Sequence, residues 1–214
     1  MMSLNALPSK YISKSFFLFF IVLSLSVGCT TTQPVPVDAK SIAAWEQRRG
    51  DLAQIKYWRL RGRLLVSHGE DVWSLSLEWQ QKDEDYKIFI HGLFGAGKVK
   101  LVGNADGVML RNSDDQSFYA DNPEDLLYQQ TGIHMPVEGL RYWVMGLTSP
   151  GQLKKPQIDG LGRLAYLEDT NWKVNFKRYT KVSGMDLPRK VFIEKPEQEI
   201  DVRLVVDKWT LGAF

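Results

Sequence analysis

Apolar and polar residues alternate over most of the chain beyond position 57, and this alternation predicts β-strands. Residues 58–66 place tryptophan, leucine, glycine or valine at every second position, and residues 73–79 repeat the pattern with serine and glutamate in between. Side chains two positions apart lie on the same face of a strand, so each run predicts one buried and one solvated face. Eight further runs predict strands at 86–91, 98–103, 107–112, 116–119, 163–168, 172–179, 189–194 and 199–208.

Short connections rich in turn-forming residues separate these strands. The segments 104–107 (Asn-Ala-Asp-Gly) and 168–171 (Glu-Asp-Thr-Asn) contain residue types that tight hairpin turns favour. Strands joined by such turns pair antiparallel, which gives the sheet one apolar face and one face in water. Arg59, Arg61 and Arg63 alternate along the first strand and are predicted to lie on the wet face.

Three segments have the spacing of amphipathic helices instead. Asp38 can cap a first helix, and the apolar stripe of this helix comprises Ile42, Trp45, Leu52 and Ile55. A second helix follows the capping residue Asn122, with Pro123 in its first turn. A third starts at Pro136, and its apolar residues are Val137, Leu140, Val144 and Leu147. Because the helices and the sheet both have apolar surface to bury, we expect the two short helices to pack on the sheet, which curls around them.

The N-terminus has the layout of a secretory signal. Lys10 and Lys14 precede residues 15–28, which contain no charge and only fourteen residues. A membrane-spanning helix needs roughly 20 apolar residues, so the segment predicts a cleaved signal rather than a permanent span. The run Leu25-Ser26-Val27-Gly28-Cys29 resembles the lipobox of bacterial lipoproteins, in which the cysteine carries a diacylglycerol and an amide-linked acyl chain. The alternative is a plain signal peptide that ends at a cysteine by chance.

Three regions follow from this interpretation: a lipoprotein signal peptide at 1–28, a lipidated N-terminus and linker at 29–37, and one domain at 38–214. Two basic residues of the 27 lie in the signal, so the mature chain has 25 basic and 25 acidic residues. A neutral chain lacks the clustered positive charge that binds nucleic acid. Cys29 is the only cysteine, which excludes an internal disulfide. Thr30 follows this cysteine. An aspartate at that position resembles an inner-membrane retention signal, so its absence favours the outer membrane.

Motifs that would carry catalysis or metal binding are incomplete. The run 92–99 (GLFGAGKV) is one residue short of a phosphate-binding loop, but Val99 offers no hydroxyl and a strand follows where the motif needs a helix. His68, His91 and His134 have no metal-site spacing. No GxSxG nucleophile motif occurs. We therefore expect no enzyme activity, no metal and no cofactor apart from the covalent lipid.

Seven tryptophans give the chain unusual aromatic bulk. A packed core explains such bulk in most proteins. A curved sheet lined by large apolar side chains could equally leave a cavity for an apolar ligand when its helical cover shifts. The sequence leaves both interpretations open.

The residues quoted above, taken in order, resemble the LolB family of outer-membrane lipoprotein receptors. The resemblance rests on the lipobox, the opening helix with Trp45, and the segments 77–81 (LEWQQ), 92–95 (GLFG), 140–147 (LRYWVMGL) and 171–174 (NWKV). It covers residues 29–209. The most specific part is the LRxWxxGL segment after the GxxxP run at 132–136.

The resemblance implies an α+β fold that is mainly β: an incomplete antiparallel β-barrel of about ten or eleven strands wrapped around a few short helices. This implied fold is similar to that of the periplasmic carrier LolA. The implied function is to accept triacylated lipoproteins from such a carrier and insert them into the outer membrane, as a monomer anchored there and facing the periplasm. The family loop usually reads Gly-Pro-Leu-Gly, with an exposed leucine that inserts into the membrane. Here Leu93 and Phe94 occupy its central positions and would form the insertion tip.

The sheet's apolar face is expected to bind the acyl chains, in a cavity lined by Leu75, Leu77, Ile88, Ile90, Val174 and Phe176. Two other classes of protein remain as alternatives. A scaffold lipoprotein in outer-membrane protein or lipopolysaccharide assembly would have an exposed protein-binding patch and no acyl-sized cavity. An enzyme on lipid or cell-wall substrates would need polar side chains clustered in a pocket.

Overall fold

Eleven antiparallel strands form one sheet in the computed structural model of this chain, which describes residues 38–92, 97–152 and 154–212. The strands are β1 (Tyr57–His68), β2 (Asp71–Lys82), β3 (Asp85–Gly92), β4 (Val99–Asn104), β5 (Gly107–Arg111), β6 (Ser117–Ala120), β7 (Gln157–Ile158), β8 (Leu164–Asp169), β9 (Trp172–Val182), β10 (Met185–Lys195) and β11 (Ile200–Leu211).

Two meanders, joined through β1 and β11, make up this sheet. Its order is β6-β5-β4-β3-β2-β1-β11-β10-β9-β8-β7, so the first and last strands of the chain lie side by side at its centre. β1 and β11 pair along almost their whole length, with a bulge between Arg61 and Gly62. A Cβ atom at Gly62 would lie 2.4 Å from the carbonyl oxygen of Val205, so only glycine fits there. The edge strands β6 and β7 do not pair with each other within the described residues, which confirms an incomplete barrel.

All ten strands predicted from the alternation are present, with ends that shift by a few residues. β10 starts earlier than expected because Pro188, which usually interrupts a strand, is accommodated at a register shift opposite β9. β7 was not predicted, since its two residues are too short to produce a period.

Three helices cover the sheet: α1 (Ala39–Ala53), α2 (Pro123–Thr131) and α3 (Val137–Trp143). A short 3-10 helix (Pro196–Gln198) precedes β11. The predicted caps are confirmed, because the side chain of Asp38 accepts a hydrogen bond from the Ser41 amide and that of Asn122 accepts from the amides of Glu124 and Asp125. α3 ends at Trp143, one turn before the predicted apolar position Leu147.

The apolar stripe predicted for α1 is wrong at Ile42, whose side chain is 51% exposed. Ser41 is buried in its place, and its hydroxyl donates hydrogen bonds to Asp38 Oδ1 (2.6 Å) and to the carbonyl oxygen of Gly160 (3.3 Å). The turn before β8 therefore packs on the first turn of α1 at a polar contact, which rotates Ile42 into solvent. Trp45 and Leu52 are buried as expected, while Ile55 lies beyond the end of the helix and is partly buried.

The core occupies the face of the sheet that the helices cover. Trp79 and Trp143 are its largest fully buried side chains. The ring of Trp58 lies 5.5 Å from that of Trp79 and 5.7 Å from that of Trp209, between centroids. Gln81 is a buried polar residue on the same face, and its side-chain oxygen accepts a hydrogen bond from Trp79 Nε1 at 2.9 Å. The amide of Gln81 in turn donates to the carbonyl oxygen of Asp83, so this polar group is satisfied.

Candidate functional site

The six side chains predicted to bind acyl chains all lie on the buried face of the sheet. They come from β2 (Leu75, Leu77), β3 (Ile88, Ile90) and β9 (Val174, Phe176), and their exposed fractions range from 0 to 8%. Leu77 pairs directly with Ile90 across β2 and β3. β9 lies four strands away from β2 in the sheet order. The fold thus gathers apolar residues distant in sequence onto one surface, while their role in binding stays a prediction.

Side chains of α2 and α3 belong to the same core as these six residues. Leu126 and Leu127 from α2, and Leu140 and Trp143 from α3, are all at most 3% exposed. Gly139 lies so close to the Trp143 ring that a Cβ atom there would be 2.5 Å from it. Side chains of the two helices therefore pack directly over the apolar face of the sheet.

A cavity of about 630 Å³ lies between the two short helices and the nearby ends of the strands. Aromatic rings contribute to its lining, from Trp79, Tyr86, Trp143 and Trp172. Charged side chains line it as well, from Glu84, Glu124, Glu138, Arg141, Asp121, Asp169 and Lys195. The lining of the cavity thus combines aromatic rings with a larger share of polar and charged side chains.

Glu124 lies in the wall of this cavity and links the two short helices. Its Oε1 accepts a hydrogen bond from the backbone amide of Glu138, at 3.2 Å, which joins the start of α2 to the start of α3. Burial raises the pKa of the Glu124 carboxyl to about 7, against the opposing effect of that hydrogen bond. The neighbouring charges of Glu138 and Asp125 raise it further, and Lys195 lowers it.

Arg141 connects α3 to the turn between β2 and β3. One of its terminal nitrogens, Nη2, lies 2.5 Å from Glu84 Oε1. This hydrogen bond is the main cause that lowers the pKa of Glu84 and raises the pKa of Arg141. The guanidinium also lies over the ring of Tyr142, 5.4 Å from its centroid. Glu124 and Arg141 together hold α3 at its two ends.

Two of the three histidines meet, which the sequence spacing did not reveal. The ring of His134 stacks on Tyr128 at 4.0 Å and meets the edge of His68 at 4.7 Å, between centroids. Burial is the largest cause that lowers the pKa of His134, followed by the charges of His68 and Lys195. Among the residues that the structure describes, no group of three or more His, Cys, Asp or Glu is placed to hold a metal ion.

A larger cavity, of about 900 Å³, lies against strands β1 to β6 and involves none of the six apolar residues. Its lining includes Lys87, Val102 and Met109, which alternate with buried positions and so belong to the outer face of the sheet, and the exposed side chain of Tyr119 on β6.

Three predicted functional residues lie outside the described residues: Cys29, Leu93 and Phe94. Their roles remain predictions. β4 begins at Val99, so the structure confirms that a strand follows the incomplete phosphate-loop motif.

The fold and the site define a class: an incomplete antiparallel barrel whose apolar interior is covered by helices. In the described part of the chain, no helix has both the length and the apolar content needed to span a membrane. Residues 56–209 match the family model described as outer membrane lipoprotein LolB. The chain belongs to the LolB family.

Two LolB relatives of similar length support this membership. The outer-membrane lipoprotein LolB of Nitrosococcus oceani is 35% identical over 191 residues, which cover 89% of this chain and 94% of the relative. That of Halorhodospira halophila is 38% identical over 179 residues, covering 83% of this chain and 86% of the relative. A solved LolA superfamily protein from Nitrosomonas europaea aligns with 83% of this chain and 96% of its own, at 6% identity and a TM-score of 0.46.

Proposed function

We propose that this chain is an outer-membrane lipoprotein receptor that accepts triacylated lipoproteins from a LolA-like periplasmic carrier and inserts them into the outer membrane. The observation that carries the proposal is the continuous apolar face of the sheet, covered by two short helices, in a member of the LolB family. The described cavities favour no second function.

Binding relies on the hydrophobic effect and on movement of α2 and α3. Each methylene that leaves water contributes about 0.8 kcal/mol, so an acyl chain gains strongly from reaching the apolar face. That face becomes available when the bonds at Glu124 and Arg141 break and the helices move aside. Cargo then passes from carrier to receptor to bilayer by relative affinity, which requires no catalytic residue and no cofactor.

The N-terminus would hold this receptor at its membrane. Cleavage before Cys29 and acylation of the cysteine supply several acyl chains, and two chains suffice for stable anchoring. Residues 30–37 would then link the anchor to a monomeric domain that faces the periplasm.

The tip at Leu93 and Phe94 would act in delivery. Two large apolar side chains in a glycine-flanked loop gain free energy by entering a bilayer. We propose that this tip inserts as the bound acyl chains leave.

A direct test is transfer of cargo to the purified, lipidated chain in liposomes. A triacylated lipoprotein bound to a LolA-like carrier is added, and the complex with the receptor is detected by native mass spectrometry. The matched control is the same lipoprotein without its acyl chains. We expect a complex with the acylated cargo only. Equal binding of both forms, or of neither, would reject the receptor function and favour a scaffold.

A further inference from the structure

The turn before β8 displays a leucine on a rigid support. The Asp159 carboxylate accepts hydrogen bonds from the amides of Leu161 (2.9 Å) and Arg163 (3.0 Å), and from Arg163 Nε (2.8 Å). The Asp159 amide also donates to the carbonyl oxygen of Arg163, at 2.8 Å. These bonds fix the turn, yet Leu161 at its tip is 65% exposed. The turn therefore holds an aliphatic side chain in water at a fixed position.

A second exposed apolar side chain lies on the helix that this turn packs against. Gly160 accepts the hydrogen bond from Ser41, and a Cβ atom at Gly162 would lie 2.6 Å from the backbone nitrogen of Trp45. The turn therefore packs along residues 41–45 of α1, where Ile42 is 51% exposed. We call Ile42 and Leu161 the α1 patch.

The α1 patch lies where the chain enters the domain. Asp38 caps α1, so Ile42 is one helical turn from the first described residue. Eight residues separate Cys29 from Asp38, and eight residues span at most roughly 28 Å when fully extended. A lipid on Cys29 would therefore keep the α1 patch within that reach of the bilayer, at a high effective concentration.

We propose that the α1 patch is a membrane contact, in which Ile42 and Leu161 insert among the headgroups of the bilayer that holds the N-terminus. The inference rests on the proposed lipid anchor. A tethered surface needs little intrinsic affinity, and two partly exposed aliphatic side chains suffice to favour the bound orientation by about 10- to 100-fold. The exposed residues one turn before and after Ile42, Asp38 and Glu46, are acidic, so the contact relies on the two aliphatic side chains and not on charge. The contact would fix how the domain stands on the membrane.

The test measures depth in the bilayer with the full lipidated chain in liposomes of phosphatidylethanolamine and phosphatidylglycerol. Cysteine replaces Leu161 and carries a bimane fluorophore, and lipids with a doxyl quencher near the headgroup are added. The matched control is Val72→Cys, because Val72 is equally apolar and 61% exposed but lies on β2. We expect quenching at position 161 several-fold stronger than at position 72, and its loss when Ile42→Asn is combined with the label.

Equal quenching at the two positions, or none at position 161, overturns the inference. Two further results overturn it, because each identifies a protein as the partner. One is a change in the fluorescence at position 161 that occurs only when a soluble carrier is added, and the other is energy transfer between labelled copies. Incorporation of radiolabelled palmitate at Cys29 is measured on the same preparation. A lipidated chain without quenching refutes the membrane contact alone, whereas a chain without palmitate refutes the proposed anchor and this inference with it.

Discussion

Replacing Glu124 with glutamine should stabilise the protein at alkaline pH. Burial raises the pKa of this carboxyl to about 7, above its ordinary value. The folded state therefore keeps a proton that the unfolded chain releases, and the free energy of unfolding falls as pH rises from about 4.5 to about 7. Glutamine removes the charge but keeps an oxygen that can accept the hydrogen bond from the Glu138 amide. The cost of the charged form then disappears.

The size of the effect follows from the shift. One pKa unit corresponds to about 1.4 kcal/mol, and Glu124 retains some contact with water, so we expect a gain of about 1 to 3 kcal/mol at pH 8. For a domain of this size, that raises Tm by about 2 to 10 °C. Below pH 4 the variant and the parent should have the same Tm, because the carboxyl is protonated in both the folded and the unfolded state.

Differential scanning calorimetry between pH 4 and pH 8 measures this difference. Glu70→Gln is the matched control, since it makes the same substitution at an exposed position in the turn between β1 and β2. A Glu124→Gln variant whose Tm follows the same pH profile as the parent would refute a raised pKa of the Glu124 carboxyl. A gain that is equal at all pH values would attribute the effect to packing instead.

Other substitutions test the helices and the proposed anchor. Arg141→Ala removes the bond to Glu84, so bis-ANS binding should rise while stability falls by about 1 kcal/mol or less; Arg111→Ala, which breaks an exposed ion pair, should leave bis-ANS binding unchanged. Phe94→Glu should slow delivery of cargo into liposomes at unchanged Tm, and a large fall in Tm would mean that Phe94 packs in the core. Cys29→Ala should abolish palmitate incorporation and outer-membrane fractionation, and a variant that still acquires label would disprove the anchor.

Periodicity predicted the strands well because their two faces differ so clearly. In β1 to β5, buried side chains recur at every second position over most of each strand. The helix caps at Asp38 and Asn122 were also predicted correctly, because a cap depends only on the residues that follow it in the chain.

Errors arose where distant segments meet. Ile42 is exposed because the turn at 159–163 packs on Ser41, more than a hundred positions away in the chain, and no local pattern encodes that contact. The approach of His68 to His134 and the bond between Arg141 and Glu84 have the same origin. For the candidate site, sequence identified the apolar face and the two helices that cover it, but it did not reveal the bonds of Glu124 and Arg141 that hold α3 in place.

Different kinds of contact hold the sheet and the two short helices. β1 and β11 are paired over eleven successive positions of β1, so displacing either strand would break a long ladder of backbone hydrogen bonds. α2 and α3 have no such ladder to the sheet, and α3 is tied at its ends by the side chains of Glu124 and Arg141. Displacing the helices would expose the buried side chains of Leu126, Leu127, Leu140 and Trp143, but it would leave the backbone ladders of the sheet intact. Under the function proposed above, the sheet would serve as the fixed apolar floor of the site and the two short helices as its movable cover.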